Sequence, residues 1–282
     1  MAPLVSVIVL TKDEEKNLPH LLKSLEGLDH ELFVVDSGST DRTVEIARAA
    51  GATVVFHPFE TQARSLNWAI ENLPLRAPWT MRLDADERLT PELASELNSG
   101  LSRYPPDVTG LILKRRVYFW GRWIRWGGYY PTWLLRLWRT GAAKCEDRWM
   151  DEHMVLSHGR AERLQSDIID ENHKGLGFWT SKHNSYADRE VRDILANDAE
   201  RSVAEVIDQA RKRRKLKASL YLRLPLFLRA FAYWFYRYVL LLGFLDGLPG
   251  FVFHFLQALW YRFLVDAKLY ELRLQEAKRA PS

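Results

Sequence analysis

The chain has 282 residues, 47% of them hydrophobic and 27% charged, a balance that excludes a disordered chain and leaves room for one large core with an appendage. Its formal charge is only +4, and no cluster of basic and aromatic residues forms a nucleic-acid reading head, so no nucleic-acid partner is expected. The single cysteine, Cys145, excludes an intramolecular disulfide and a cysteine-rich metal cage, and it points to a reducing, cytosolic setting.

The N-terminal residues lack the basic segment, apolar run and cleavage site of a signal peptide, so the chain is expected to remain on the cytoplasmic side of any membrane it meets. Residues 5–10 (VSVIVL) are almost continuously apolar, which predicts a strand covered on both faces. Leu18, Leu21, Leu22 and Leu25 then recur at helical spacing, and residues 32–35 (LFVV) predict a second buried strand. Ser39, Thr40 and Asp41 are expected to open the next helix, because short polar side chains satisfy its free amides. A third strand at 53–56, a helix around 64–73 and a fourth strand at 79–83 follow. Thr90-Pro91-Glu92 starts another helix, with proline where its missing N–H costs little.

Strand–helix alternation with short links implies a doubly wound parallel sheet, which binds ligands outside the carboxyl ends of its strands. The polar groups at those ends are Thr11 with Glu14 and Glu15, then Asp36-Ser37-Gly38-Ser39, then Asp84-Ala85-Asp86-Glu87. They are expected to converge on one site. Asp84 and Asp86 are two apart, so both carboxylates leave the same side of a strand end. Two hard oxygen ligands suit Mg²⁺ or Mn²⁺ bridging the oxygens of a diphosphate, the plainer alternative being a solvated turn. Asp36 can accept hydrogen bonds from a base ring while Gly38 admits a close backbone, or it can simply build a tight turn.

Residues 5–15 (VSVIVLTKDEE), 36–41 (DSGSTD) and 84–87 (DADE), in that order and spacing, resemble family 2 inverting glycosyltransferases. Residues 119–139 (FWGRWIRWGGYYPTWLLRLWR) and 182–187 (KHNSYA) resemble the subgroup typified by lipopolysaccharide inner-core β-1,4-glucosyltransferases, and the likeness covers roughly residues 4–190. It implies an α/β GT-A fold, Rossmann-like with a mostly parallel central sheet. It further implies that Thr11, Glu14 and Asp36 hold the nucleotide, that Arg64 approaches the same pocket, and that Asp84 and Asp86 serve the ribose, metal and diphosphate. In that family a histidine placed like His173 closes the metal's coordination or contacts the diphosphate, and a carboxylate in the 149–153 segment (WMDEH) is the general base, which makes Glu152 the candidate and Asp151 its rival. One departure is Lys12-Asp13 ahead of the two glutamates, where relatives often carry an asparagine.

Residues 108–172 carry a mixed pattern, with strand-like runs at 108–113, 133–137 and 153–156 around a glycine-rich aromatic loop. Trp120, Arg122, Trp126 and Tyr130 in that loop suit an acceptor, aromatic faces stacking on sugar and arginines gripping phosphate or carboxylate; an aromatic mini-core is the alternative. Arg136 and Arg139 alternate with apolar residues, and Arg136 is assigned to the same acceptor cleft. After Gly177 the pattern turns helical, and a basic run at 211–217 (RKRRKLK) places a boundary near residue 215, between a catalytic domain of 1–215 and a membrane-associating helical region of 216–282. Arg229, Arg237, Asp246 and Arg262 interrupt that region, so no uncharged run reaches the roughly 18 residues of an ordinary span. Helices lying in the membrane interface are expected, with Trp234, Tyr236, Tyr238, Trp260 and Tyr261 at headgroup depth. The alternatives are a helical pair closing on the catalytic domain or on a second copy as a homodimer, and a hairpin through the bilayer.

The expected function is metal-dependent inverting transfer of a hexose from a nucleotide-diphosphate sugar, a UDP-sugar foremost, to a lipid-linked or lipopolysaccharide-core saccharide at the cytoplasmic face of the inner membrane. A polyprenyl-phosphate glycosyltransferase keeps the fold and changes the acceptor. A nucleotidyltransferase wants a glycine-rich basic loop after the first strand, where this chain is acidic. A non-enzymatic membrane scaffold leaves the acidic strand ends unexplained.

Overall fold

The computed structural model describes residues 3–146, 153–195, 221 and 224–279. The chain divides into two compact units, Met1–Arg116 with Pro131–His173, and Val117–Tyr130 with Lys174–Ser282. The expected boundary near residue 215 lies outside the described residues.

In the first unit the alternation runs β1 (Val5–Thr11), α1 (Leu18–Leu25), β2 (His30–Asp36), α2 (Thr43–Ala49), β3 (Thr53–Phe56), α3 (Gln62–Asn72) and β4 (Trp79–Asp84). Strands β3, β2, β1 and β4 are neighbours in that order and parallel. Val5, Val7, Ile8 and Val9 are all fully buried, which is why β1 shows no apolar–polar alternation. Helix α1 buries Leu18, Leu21 and Leu25 along one stripe. Thr61 caps α3 by accepting from the Arg64 amide, and Thr90 caps α4 (Pro91–Gly100) by accepting from Leu93.

Helix α2 begins at Thr43, just past the Ser39–Asp41 turn: Asp41 accepts from the Thr43 amide at 2.9 Å, as expected of a residue that opens the helix, while the Ser39 hydroxyl is committed to Asp36 and to the Asp13 amide. One expectation is corrected. The sheet is mixed and not mostly parallel. Beyond β4, strand β8 (Thr132–Arg139) runs antiparallel to it, β6 (Val108–Phe119) antiparallel to β8, and β11 (Arg160–Glu171) antiparallel to β5 (Glu87–Leu89). After α4 the chain returns through long strands without helical crossovers, and such returns pair antiparallel. Strands β9 (Ala143–Cys145) and β10 (Met154–Leu156) form a separate antiparallel pair. The core joins Trp79, Met81, Leu83, Leu93, Leu111 and Ile168.

In the second unit, β7 (Arg122–Trp123) folds back on the end of β6, Tyr118 opposite Trp123. Helix α5 (Gly175–Leu195) buries Ala187 and Val191 with Tyr261, Val265 and Leu269 of α8 (Tyr261–Arg279). Between them lie α6 (Leu228–Phe235) and α7 (Gly247–His254), joined through the turn Gly243–Asp246. Buried charges are paired: Arg229 with Asp266, and Arg262 with Glu190 at 2.6 Å. Among the described residues no single helix is long and apolar enough to cross a membrane, although the bent pair Leu228–Leu240 and Gly243–Lys278, at 69°, meets length and composition together.

His254 is fully buried, and burial together with nearby Arg237 pushes its pKa down to about 4, so the ring is neutral at physiological pH. The ring fits because Gly127 has no side chain: a Cβ there would stand 2.0 Å from the imidazole, at a backbone φ of +69°. Gly127→Ala is therefore expected to cost about 3 kcal/mol through overpacking and left-handed strain, read as a lower urea midpoint at unchanged slope. A loss below about 0.5 kcal/mol would show that the ring has room to move.

Candidate functional site

Strand register builds the site in the first unit. Thr11 stands opposite Asp36, and Leu10 opposite Asp84, so the carboxyl ends of β1, β2 and β4 align on one edge. Thr11, Asp36 and Asp84 meet there as the sequence predicts. Asp36 is buried. Its Oδ1 accepts from the Thr11 hydroxyl at 3.0 Å, and its Oδ2 from the amides of Gly38 and Ser39 at 2.9 and 2.8 Å. Gly38 sits at φ +84°, the conformation this turn demands. The Glu14 carboxylate accepts from Asn17 Nδ2 at 2.7 Å, and Asn17 Oδ1 accepts from the His173 amide at 2.7 Å, which ties the first loop to His173. Arg64 occupies the first turn of α3 with an exposed guanidinium paired to Glu60 at 3.1 Å, while Gln62 of the same turn donates to Asp84 Oδ1 at 3.1 Å.

Asp84 is held by a buried charge lattice. Arg82 Nη2 lies 3.1 Å from its Oδ1 and Arg136 Nη2 2.9 Å from its Oδ2. The same Arg136 nitrogen lies 2.5 Å from Glu87 Oε1, and Glu87 Oε2 accepts from the Asp84 amide at 3.0 Å. Burial pushes the Glu87 carboxyl up to about 7, with Arg136 restraining the rise and Asp84 adding to it. Burial works against the Arg136 charge, yet Glu87 and Asp84 hold its pKa above the ordinary value. Arg136, assigned from the sequence to the acceptor cleft, thus has its guanidinium committed to Asp84 and Glu87. The reason is register: β8 pairs beside β4, with Leu137 opposite Met81.

Asp86 is half-buried, and its Oδ2 accepts from Asn172 Nδ2 at 3.0 Å. His173, the next residue, stacks on His20 with ring centroids 4.1 Å apart. Burial and then His20 lower its pKa below 6.5, against Glu171, which favours a neutral ring able to offer a lone pair. Among the described residues no group of three or more His, Cys, Asp or Glu side chains closes a metal cage, so Asp84, Asp86 and His173 do not form a complete protein site. One or two carboxylates at a strand end would suit a hard divalent ion such as Mg²⁺ or Mn²⁺, with Asp86 and Asp84 as the residues that would hold it. Glu152 and Asp151 lie outside the described residues. Asn17, Gln62, Arg82 and Asn172 escaped the sequence reading, and Glu87 was noted only as part of the strand-end motif. Only Asn172 carried a signal, its place directly before His173.

The loop expected to meet the acceptor lies in the second unit. Trp120 is 57% exposed and stacks on Phe119, and Tyr130 meets Trp123 edge-on at 4.9 Å. Arg122 and Trp126 line a cleft of about 390 Å³ together with Trp123, Arg125 and Asp246. The buried Asp246 carboxylate accepts from the amides of Arg125 and Trp126 at 3.2 and 2.9 Å.

The signature of glycosyl transferase family 2 matches residues 6–150, just over half of the chain. An uncharacterized glycosyltransferase of Rickettsia conorii is 37% identical over 93 residues, covering 33% of this chain and 32% of that protein. The lipopolysaccharide core biosynthesis glycosyltransferase LpsC of Rhizobium meliloti is 32% identical over 132 residues, 45% of this chain and 46% of LpsC. The chain thus spans about a third of the first relative's length and just under half of LpsC. Among solved structures, the mannosyltransferase PcManGT of Pyrobaculum calidifontis, in complex with GDP-Man and Mn²⁺, superposes with a TM-score of 0.56 at 16% identity, over 96% of this chain and 88% of that one. S. aureus TarS 1–349, in complex with UDP-GlcNAc, gives 0.50 at 15% identity over 95% and 92%. At such identities the likeness is one of fold, α/β and GT-A-like.

Proposed function

The chain belongs to glycosyl transferase family 2 and is a glycosyltransferase, and from that premise we propose that it transfers a hexose, with inversion, from a nucleotide-diphosphate sugar to a lipid-linked or lipopolysaccharide-core saccharide. A UDP-sugar is the donor we favour, and the cytoplasmic face of the inner membrane is the place. The observation that carries the proposal is the alignment of Thr11, Asp36 and Asp84 on one sheet edge, with Asp86 two residues beyond. The acceptor class follows from the likeness to LpsC, which is named for lipopolysaccharide core biosynthesis.

In this proposal Asp36 and the glycine turn after it receive the nucleotide base, and Thr11 and Glu14 border the same pocket. Asp84 stands toward the ribose, fixed in one rotamer by Arg82, Arg136 and Gln62. Such fixation supplies a preorganised electrostatic frame, so no reorganisation is needed as charge moves. Asp86 would hold Mg²⁺ or Mn²⁺, with Asp84 and His173 at its margin. When bound, the ion neutralises charge on the departing nucleotide diphosphate. Glu152, or Asp151 beside it, takes the proton of the acceptor hydroxyl on the face opposite the leaving group. The hydroxyl oxygen bonds to the anomeric carbon as the bond to the diphosphate breaks, turning an α-linked donor into a β-linked product.

The test is slow hydrolysis of a panel of UDP-, GDP- and dTDP-sugars by the purified chain, with Mn²⁺ or Mg²⁺ and with EDTA. Release of free nucleotide diphosphate from one sugar, abolished by EDTA and restored by added metal, is expected. Turnover that persists undiminished in EDTA would remove the metal from the mechanism, and absence of donor binding with metal present would remove the donor class.

A further inference from the structure

The cleft in the second unit has a chemistry of its own. Arg122 and Arg125 are exposed, and both act electrostatically on the Asp246 carboxylate. Arg125 rests 5.4 Å from the Trp123 ring centroid and 5.9 Å from that of Trp126. The Asp246 carboxylate at the same cleft is engaged by two backbone amides, so it is tied up in holding the loop to the turn Gly243–Asp246. Two guanidiniums over one engaged carboxylate leave a net positive cleft with fork-shaped donors, the chemistry that receives a phosphate.

A second, independent observation says where such a phosphate sits. The residues flanking Asp246 in the chain are large, apolar and exposed: Phe244 and Leu245 at 46% and Leu248 at 71%, with Leu240 at 60%. A water-soluble surface rarely carries so dense an apolar crest, and tryptophan beside arginine is the composition of a membrane interface. We propose that this cleft binds the phosphate of a membrane lipid headgroup, with the apolar side chains around Asp246 seated among the acyl chains. The proposal deepens, and rests on, the reading of this chain as a transferase that works on a lipid-linked acceptor at a membrane face. It gives the loop a specific ligand class, an anionic lipid phosphate in a bilayer.

The test is sedimentation of the full chain with vesicles of neutral phosphatidylcholine and with vesicles that also contain phosphatidate, without any donor sugar. Because no donor is present, failure of the transferase proposal would leave this result standing, and the reverse. Each cationic side chain at an anionic surface is worth roughly fivefold in binding, so Arg122→Gln with Arg125→Gln is expected to weaken binding to phosphatidate vesicles about 25-fold and leave binding to neutral vesicles unchanged. Phe244→Ser with Leu248→Ser is expected to weaken binding to both. Arg273→Gln with Lys278→Gln removes the same charge from the exposed end of α8 and serves as the control, with an expected loss of less than about threefold. Equal losses in the cleft and control variants, wild-type binding by the cleft variant, or full displacement by inorganic phosphate at constant ionic strength would each overturn the proposal.

Discussion

Asp86→Ala is expected to lower the rate of donor turnover on the order of 10³-fold while leaving the melting temperature within a few degrees of the parent. The magnitude follows from the several kcal/mol that a bound divalent ion contributes to stabilising a departing diphosphate, since about 4 kcal/mol corresponds to three orders of magnitude in rate. The small structural effect follows from position: Asp86 is half-buried, and its side chain accepts from Asn172 Nδ2. Nucleotide release in the donor assay, beside a thermal melt of the same preparation, checks both halves. A loss smaller than about tenfold would show that the ion is held without Asp86. Raising Mn²⁺ is expected to recover part of the lost rate, because a site missing one ligand binds its ion more weakly without losing its place for the diphosphate.

Arg136→Met is expected to behave differently, as a failure of stability first. It removes the cation facing Asp84 at 2.9 Å and Glu87 at 2.5 Å. Glu87 is 1% exposed, so its carboxyl would be left buried beside Asp84 without its direct cationic partner, Arg82 remaining only on the far oxygen of Asp84. Breaking a buried pair from one side typically costs about 3–5 kcal/mol, much of it the desolvation of the group left behind. Urea unfolding of the single variant is expected to show that loss. Adding Glu87→Gln is expected to return a large part of it, because the amide needs no cation. A double variant no more stable than the single one would place the cost in lost packing of the arginine stem and not in the stranded charge. Where the single variant still folds, its KM for the donor is expected to rise more than its kcat falls, since Asp84 would lose one of the groups that fix it.

The sequence by itself determined the alternation of the first hundred residues and the identity of the strand-end acids. Buried strands are readable because a strand covered on both faces must be continuously apolar, as β1 is, and a carboxylate that ends such a strand stands out against it. Thr11, Asp36 and Asp84 were therefore legible, and the parallel register put them on one edge. Caps were legible where the signal lies within a few residues, at Thr90 with Pro91. They were less so at Ser39, whose hydroxyl bonds to Asp36 and receives the Asp13 amide.

Tertiary structure alone decided the rest. Whether β8 pairs with β4 depends on the long-range competition of sheet edges, which no local pattern encodes, and that pairing is what sets Arg136 against Asp84. Arginine on an alternating strand announces only that it points to one face; which carboxylates wait there is a property of the neighbour. The same holds for Asn17, which joins Glu14 to His173 across 156 residues of chain, and for Asp246, which anchors the amides of Arg125 and Trp126 from 120 residues away. Local sequence fixes backbone preference and burial period, because these are short-range steric and solvation effects. The partner of a buried charge is fixed by the fold, because only the fold brings distant residues close enough to replace the water that the charge has lost.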